Sequence, residues 1–222
     1  MRIGILGGGS VGQTLGTGLI EKGHEVVVGI RQVSPETLAA SRMMAGTLGE
    51  WQARTGGRVV TLEEATKGAE LVVNAVKGEA ALKALRMAGN LAGKVLIDVS
   101  NPLDFSHGMP PFLMPDYSGP TSLGEQIQEA FPEARVVKAF NTVTAAVMTN
   151  PRLVPGEHDL FLSGNDEDAK EAVREIARSF GWQSFVDLGD IKGARAQELF
   201  VVIWVRIWMT GGNPIFGYRI VR

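Results

Sequence analysis

The amino terminus carries the feature that most constrains the fold of this chain, an apolar run over residues 2–6 that leads directly into the sequence GGGSVG. Residues 11–22 then place apolar side chains at helical spacing. A strand, a G-x-G-x-x-G turn and a helix in this order predict the first unit of a dinucleotide-binding α/β fold. In that unit Gly7 makes the tight turn, and Gly9 lets the backbone approach a pyrophosphate.

The helix after this turn supplies a binding site for phosphate. Its unpaired N–H groups and its partial positive charge favour an anion without any cationic side chain. Ser10 adds a hydroxyl donor, Val11 lies in the same first turn, and Gly12 lets the helix pack closely against the strand. A turn without a ligand is the less favoured alternative, because structure alone rarely requires three consecutive glycines at a strand end.

Composition argues against several classes of function. The formal net charge of -2 lacks the basic excess of a nucleic-acid-binding protein, and the absence of cysteine removes disulfides and thiolate metal sites. His24, His107 and His158 are widely spaced, so we expect no metal site. No secretory signal is visible, and the longest apolar stretch, residues 199–209, is shorter than the roughly 20 residues that span a bilayer. We therefore expect a cytoplasmic protein without nucleic-acid or membrane partners.

The segment after the second predicted strand, residues 25–29, indicates which dinucleotide is bound. A site for NAD places a carboxylate there for the ribose hydroxyls, whereas a 2′-phosphate requires a cation instead. This chain has Arg31 and Gln32 at that point, followed by Ser34. No carboxylate occurs before Glu36. Because a planar guanidinium suits a phosphate, the sequence favours NADP over NAD, with a merely solvated arginine as the alternative.

The rest of the chain alternates predicted helices and strands, as parallel sheets require. Helices are predicted from the Ser122 capping box and over residues 34–53, 62–67, 166–180 and 194–209, and strands over 58–60, 71–76, 94–102, 135–142, 159–163 and 183–187. The predicted fold class is therefore α/β, a Rossmann doubly wound parallel sheet with a small C-terminal α/β extension. A shift of composition near residue 150 divides it into a dinucleotide-binding domain, residues 1–150, and a small C-terminal α/β domain, residues 151–222, that completes the acceptor site.

Polar residues at the carboxyl ends of these strands complete the predicted cofactor site. The segment Ala75-Val76-Lys77 follows the central strand and should lie beside the glycine turn. Asn101-Pro102 follows the next strand, where ligands bind in open α/β sheets. Residues 103–120 then form a long loop with four prolines, and a loop of this length usually covers a site or is mobile.

Several segments together resemble the family of NADP reductases that pass a hydride between NADP(H) and coenzyme F420. The resembling segments span nearly the whole chain and cover residues 1–12, 28–31, 97–103, 136–142, 164–167, 187–189 with 194–195, and 217–221. The glycine motif is common to many dehydrogenases. Three features are considerably more specific: residues 138–142, the spacing from Gly189 to Arg195, and the closing segment of residues 217–221.

The resemblance implies roles for individual residues. NADP(H) is the cofactor and contacts Ser10 and Arg31, while coenzyme F420 or a flavin is the co-substrate. Asn141 and Thr142 then lie near the two rings as catalytic residues, and Arg195 faces the deazaflavin. Hydride transfer needs stacked rings and excluded water but little acid–base chemistry, which agrees with a sequence that has no recognisable nucleophile motif.

Two other functions stay open at this point. A small-substrate NADP-dependent dehydrogenase of the hydroxyacid type would use Lys77 or Lys138 as its acid catalyst, although such enzymes usually add a long helical domain. A non-catalytic NADP-sensing or partner-binding domain would bind the cofactor without turnover.

The last predicted helix indicates an oligomer. Residues 199–209 are apolar on nearly all sides, whereas a surface helix of a monomer shows a polar face. We expect a homodimer in which a two-fold partner buries Trp204 and Trp208 and leaves Arg206 at the rim. The alternative is burial of the helix beneath the sheet and residues 211–222.

Overall fold

The fold of the chain is built around one central β-sheet with helices on both faces. The computed structural model describes residues 1–42 and 45–222. The helices have the bounds α1 Ser10–Glu21, α2 Pro35–Ala39, α3 Leu48–Thr55, α4 Leu62–Thr66, α5 Ala81–Met87, α6 Leu123–Ala130, α7 Ala145–Thr149, α8 Glu167–Phe180 and α9 Ala194–Gly211. The strands have the bounds β1 Arg2–Leu6, β2 Glu25–Ile30, β3 Arg58–Thr61, β4 Leu71–Asn74, β5 Val95–Asp98, β6 Leu103–Asp104, β7 Phe112–Leu113, β8 Arg135–Ala139, β9 Asp159–Gly164 and β10 Ser184–Asp187.

The central sheet has eight strands over the described residues, in the order β10-β9-β8-β5-β4-β1-β2-β3. Neighbouring strands are parallel, except that β8 and β9 are antiparallel. The chain reverses its direction across the sheet at β1, whose Ile5 lies between Val28 of β2 and Val73 of β4. This topology confirms the predicted doubly wound α/β Rossmann fold, with the reversal at the glycine turn.

Two apolar layers cover the faces of the sheet. Helices α1, α3, α7 and α8 pack on the face that carries Ile5 and Val73, and α4, α5, α6 and the start of α9 pack on the face that carries Leu6 and Val72. Adjacent strand residues fall in different layers because successive side chains point to opposite sides of a sheet. β4 is buried along its whole length, as expected for a central parallel strand.

Side-chain caps decide where several helices start, and one such cap contradicts a prediction. The capping side chains that accept a hydrogen bond from the first turn of their helix are Ser34, Thr47, Thr61, Ser122 and Asp166. The single helix predicted over residues 34–53 is wrong, because Thr47 and Glu50 form a capping box that starts α3 after α2 has ended at Ala39. Part of the intervening chain, residues 43–44, lies outside the described residues.

Five shorter segments also differ from their predictions. β5 ends at Asp98 rather than at residue 102, and β8 ends at Ala139 rather than at residue 142. β4 ends at Asn74 rather than at residue 76, and the predicted loop contains the antiparallel pair β6–β7, with Leu103 opposite Leu113. The capping box predicted at Ser122 is half formed. The Glu125 N–H donates to Ser122 Oγ, but the Glu125 carboxylate accepts from the Ser122 hydroxyl and from a distant arginine rather than from the Ser122 N–H.

The chain beyond residue 150 extends the same sheet. β9 pairs with β8, and β10 pairs with β9. The carboxyl-terminal tail packs back on this edge, where the Asp159 N–H donates to the Tyr218 carbonyl oxygen at 2.7 Å. The division into residues 1–150 and 151–222 stays a prediction.

Candidate active site

The glycine turn after β1 has the close contacts that only glycine permits. Gly7 has a φ of +110°, and a Cβ there would lie 2.7 Å from the Ala75 carbonyl oxygen. A Cβ at Gly12 would lie 1.9 Å from the Gly7 carbonyl oxygen, so α1 packs directly on the turn. At Gly9, by contrast, a Cβ would meet no described atom within 4 Å. The turn is therefore tight on its protein side and open at Gly9.

The amino terminus of α1 continues this open face. Gly9 occupies the cap position, and among the described residues no side chain accepts a hydrogen bond from the first turn of α1. No acidic side chain lies in that turn either, within the described part of the chain. Ser10 and Val11 are both half-buried there. Unlike the five side-chain-capped helices, α1 presents N–H groups that an anion would satisfy.

Three of the predicted cofactor residues follow β2, next to the glycine turn. Ile30 ends β2 and packs against Gly8, and Arg31 and Gln32 follow it at the exposed surface. Ser34 is engaged as the cap of α2, where its Oγ accepts a hydrogen bond from the Thr37 N–H. Arg31 is the first cationic side chain after β2, on the short segment that leads into the Ser34 cap of α2.

The other predicted cofactor residues lie at the carboxyl ends of β4 and β5. The Ala75 N–H donates to the Leu6 carbonyl oxygen at 2.8 Å, which fixes the segment Ala75-Val76-Lys77 beside the glycine turn. Lys77 is exposed. A Cβ at Gly78 would lie 2.3 Å from the Asn101 carbonyl oxygen, so this segment packs closely on Asn101-Pro102. The structure thereby brings these predicted residues together at one edge of the sheet.

Asn141 and Thr142 lie on a strained turn at the end of β8. Phe140 has a φ of +63°, a left-handed conformation that costs a non-glycine residue roughly 1–2 kcal/mol. Asn141 and Thr142 are both buried, at 3% and 1% exposure. The Asn141 Nδ2 donates to Asn101 Oδ1 at 2.9 Å, and the Asn101 Nδ2 donates to the Asn141 carbonyl oxygen at 3.0 Å. The carboxyl ends of β5 and β8 are therefore joined by a reciprocal pair of amide hydrogen bonds.

A buried row of polar side chains lies beneath this edge. Strand register places Asn74, Asp98 and Lys138 side by side on one face of β4, β5 and β8. The Lys138 ammonium contacts Asp98 Oδ2 at 2.8 Å and Glu198 Oε1 of α9 at 2.9 Å, and it donates to the Ser100 carbonyl oxygen at 2.7 Å. All three of its N–H groups are thus satisfied.

The charge of Lys138 is stabilised by this arrangement. Burial would lower the pKa of Lys138, but the charges of Asp98 and Glu198 outweigh burial and hold the pKa above its ordinary value. Lys138 is fully buried, so it has no face from which to donate a proton to a substrate. The sequence suggested an acid catalyst at Lys138 and did not reveal this cluster, although a polar residue at or next to the end of β4, β5 and β8 was the available signal.

Arg195, the predicted acceptor-side residue, lies at the start of α9 in a two-point ion pair. Its guanidinium contacts the Glu125 carboxylate at 2.7 Å and 2.5 Å. Burial alone would raise the pKa of Glu125, but the hydrogen bonds from Arg195 and Ser122 hold it below its ordinary value. Arg195 remains partly exposed, with 42% of its side chain accessible. The pair joins α6 to α9 close to the carboxyl edge of the sheet.

Within residues 1–42 and 45–222, no cluster of three or more histidine, aspartate or glutamate side chains could hold a metal ion. Across the same residues, no helix has the length and apolar character needed to cross a bilayer.

The fold and the site define a class, a Rossmann protein with a dinucleotide-binding glycine turn. Comparison with known proteins narrows the class. Residues 2–102 match the family described as NADP oxidoreductase, coenzyme F420-dependent. The crystal structure of a candidate F420-dependent NADP reductase from Arthrobacter sp. FB24 is 43% identical, covers 100% of both chains and has a TM-score of 0.93. The chain therefore belongs to the family of F420-dependent NADP oxidoreductases, which are redox enzymes.

Two further relatives are more distant. The F420-dependent NADP reductase of Methanocaldococcus jannaschii is 28% identical and is covered over 99% of its length. The metalloreductase STEAP3 of Rattus norvegicus is 31% identical over 93% of this chain, but the chain spans only 38% of the length of STEAP3.

Proposed function

We propose that this chain transfers a hydride between NADPH and a deazaflavin, coenzyme F420, or a flavin-like acceptor. The observation that carries the proposal is the open face at Gly9, which continues into the uncapped amino terminus of α1. Arg31 follows β2, the strand that pairs with β1, and no carboxylate occupies the position that would favour NAD. The family match and the relatives described as NADP reductases support the same reading.

The residues of this edge fit a dinucleotide. Gly9 and Ser10 would receive the pyrophosphate at the amino terminus of α1, and Arg31 would receive the 2′-phosphate at the end of β2. Asn101 and Asn141, at the ends of β5 and β8, would border the nicotinamide. These assignments follow the order of strands across the sheet, from β2 through β1 and β4 to β5 and β8.

The contribution of the chain to catalysis is mainly geometric. When bound, the nicotinamide of NADPH supplies a hydride, and the acceptor takes up that hydride together with one proton from solvent. The turn at Asn141 and Thr142, tied to Asn101 by two hydrogen bonds, would form a fixed wall for the reacting edge. Arg195, oriented by Glu125, is the proposed cation on the acceptor side.

One experiment separates the open alternatives. Purified protein is incubated with NADPH and, in turn, with coenzyme F420, a flavin, a ferric chelate and a 2-oxo acid, and NADPH oxidation is followed. We expect turnover with the deazaflavin or the flavin. Turnover only with the 2-oxo acid would favour the hydroxyacid type, for which Lys77 is the remaining acid because Lys138 is buried. Binding of NADPH without any turnover would favour the sensor.

We further propose that the protein is a homodimer formed through α9. The large apolar side chains of this helix that stay exposed are Leu199, Val202, Ile203, Ile207 and Met209. The alternative, in which the sheet and the tail bury the whole helix, is therefore wrong. Trp204 and Trp208 are half-buried, and Trp204 stacks on Phe216 of the tail with ring centroids 5.6 Å apart. The exposed aliphatic side chains, rather than the two tryptophans, are thus the proposed centre of the interface.

We also propose a cytoplasmic location for the protein and a division of the chain into two domains near residue 150. Cell fractionation tests the location. Limited proteolysis tests the division, because a cut near residues 150–157 that releases a stable fragment of residues 1–150 would support it.

A further inference from the structure

Gln197, a residue of α9 that sequence reasoning passed over, contacts both sides of the strained turn at the end of β8. Its side chain is buried, at 1% exposure. The Gln197 Nε2 donates to the Lys138 carbonyl oxygen at 3.1 Å and shares its second hydrogen between Asn141 Oδ1 and the Phe161 carbonyl oxygen, each at 3.3 Å. The Asn141 Nδ2 donates to the Gln197 carbonyl oxygen at 3.0 Å. These contacts lie two residues before and one residue after Phe140, whose φ is +63°.

Gln197 is itself fixed from two sides. The Ser163 hydroxyl donates to Gln197 Oε1 at 2.6 Å, which orients the amide so that its Nε2 points at the turn. The next residue, Glu198, contacts the Lys138 ammonium and accepts hydrogen bonds from the N–H groups of Leu123 and Gly124, each at 3.0 Å. These partners come from β8, β9 and α6. Together they fix the position of α9 along its axis and its rotation relative to the sheet.

A strained backbone conformation persists only where its surroundings hold it, and the Gln197 side chain forms hydrogen bonds on both flanks of this turn. We infer that Gln197 is a positioning residue for hydride transfer: it holds the Phe140–Asn141 turn in its left-handed conformation and so sets the wall against which the nicotinamide is placed. The inference rests on the proposed function for the position of the nicotinamide. It also connects that wall to α9, the helix that carries Arg195.

The test compares Gln197→Met with Val201→Ala, which removes buried volume one turn further along the same face of α9 without touching the turn. Amide hydrogen exchange of residues 140–142 is measured without ligand. Binding of NADP is then compared with binding of 2′-phospho-ADP-ribose, which lacks the nicotinamide. We expect Gln197→Met to speed exchange at residues 140–142 and to weaken NADP about tenfold or more, with the fragment nearly unchanged. Val201→Ala should lower the melting temperature and change neither readout.

Ser163→Ala provides a milder variant in case Gln197→Met does not fold. It removes only the hydroxyl that orients Gln197, and we expect the same pattern with a change of roughly twofold to fivefold. Unchanged exchange at residues 140–142, an unchanged ratio of the two affinities, or equal effects in Val201→Ala would overturn the inference. If the variants show the expected exchange and affinity differences but the wild-type protein oxidises NADPH with none of the tested acceptors, the proposed function alone is contradicted.

Discussion

Gly9 is the residue at which a single methyl group should separate binding from folding. Its φ is −78° and a Cβ there would meet nothing within 4 Å, so Gly9→Ala should leave the melting temperature without ligand nearly unchanged. The same methyl group would occupy the face proposed for the pyrophosphate, so NADPH binding should be lost. Fluorescence titration and thermal unfolding measure the two quantities. Gly211→Ala, which also adds a methyl group into open space, is the matched control and should bind normally.

Arg31 is the residue proposed to select NADP over NAD. A charge-assisted hydrogen bond contributes roughly 1.5–3 kcal/mol, so Arg31→Ala should weaken NADP about tenfold to a hundredfold. NAD lacks the 2′-phosphate and should bind the variant nearly as it binds the wild type. Calorimetric titration of both cofactors measures the difference, and equal losses for the two would refute the assignment.

Among the elements, the carboxyl-terminal tail is held by one buried carboxylate. Burial would raise the pKa of Asp159, but hydrogen bonds from the Ile220 N–H, Ser184 and Arg219 hold it below the ordinary value of 3.8. A carboxyl group whose pKa is lower in the folded protein stabilises the fold above its unfolded pKa. That stabilisation is lost as the pH falls through the lower, folded pKa.

The lowered pKa of Asp159 predicts how a substitution at this residue changes the stability of the fold. Asp159→Asn should lower the free energy of unfolding by roughly 1–3 kcal/mol at pH 7, and the difference from wild type should shrink as the pH falls below about 3.8. Urea unfolding at a series of pH values measures it. The exposed Asp116, replaced by Asn, is the control and should show little difference at any pH. A loss that is independent of pH would mean that the Asp159 charge does not hold the tail.

For the whole molecule, the exposed face of α9 predicts the oligomeric state. Ile203 is 49% exposed at the centre of this face, so Ile203→Glu should place a charge in the proposed interface and dissociate the dimer. Sedimentation at micromolar concentration distinguishes the two states. Val221→Glu, at a position 86% exposed near the chain terminus, should leave the dimer intact. A wild-type protein that sediments as a monomer would contradict the dimer.

The amino-acid sequence by itself determined the features that depend on neighbouring residues. The strand, the glycine turn and α1 follow one another within 21 residues, and the positive φ of Gly7 and the close packing at Gly12 are local requirements. The meeting of the segments after β4 and β5 at one edge of the sheet was also predictable, because parallel strands bring their carboxyl ends to the same edge. The break between α2 and α3 had a local signal too, the capping box of Thr47 and Glu50, which the helical periodicity concealed.

Only the tertiary structure decided the features that join residues distant in the sequence. Lys138 lies 40 residues from Asp98, and Gln197 lies 56 residues from Asn141, yet these pairs form the buried network beneath the active-site edge. No local pattern fixes such pairs, because strand register and the placement of α9 bring them together. The exposed face of α9 has the same origin. A helix that is apolar on all sides does not reveal which side the sheet covers, and that side is chosen by the hydrogen bonds of Gln197 and Glu198.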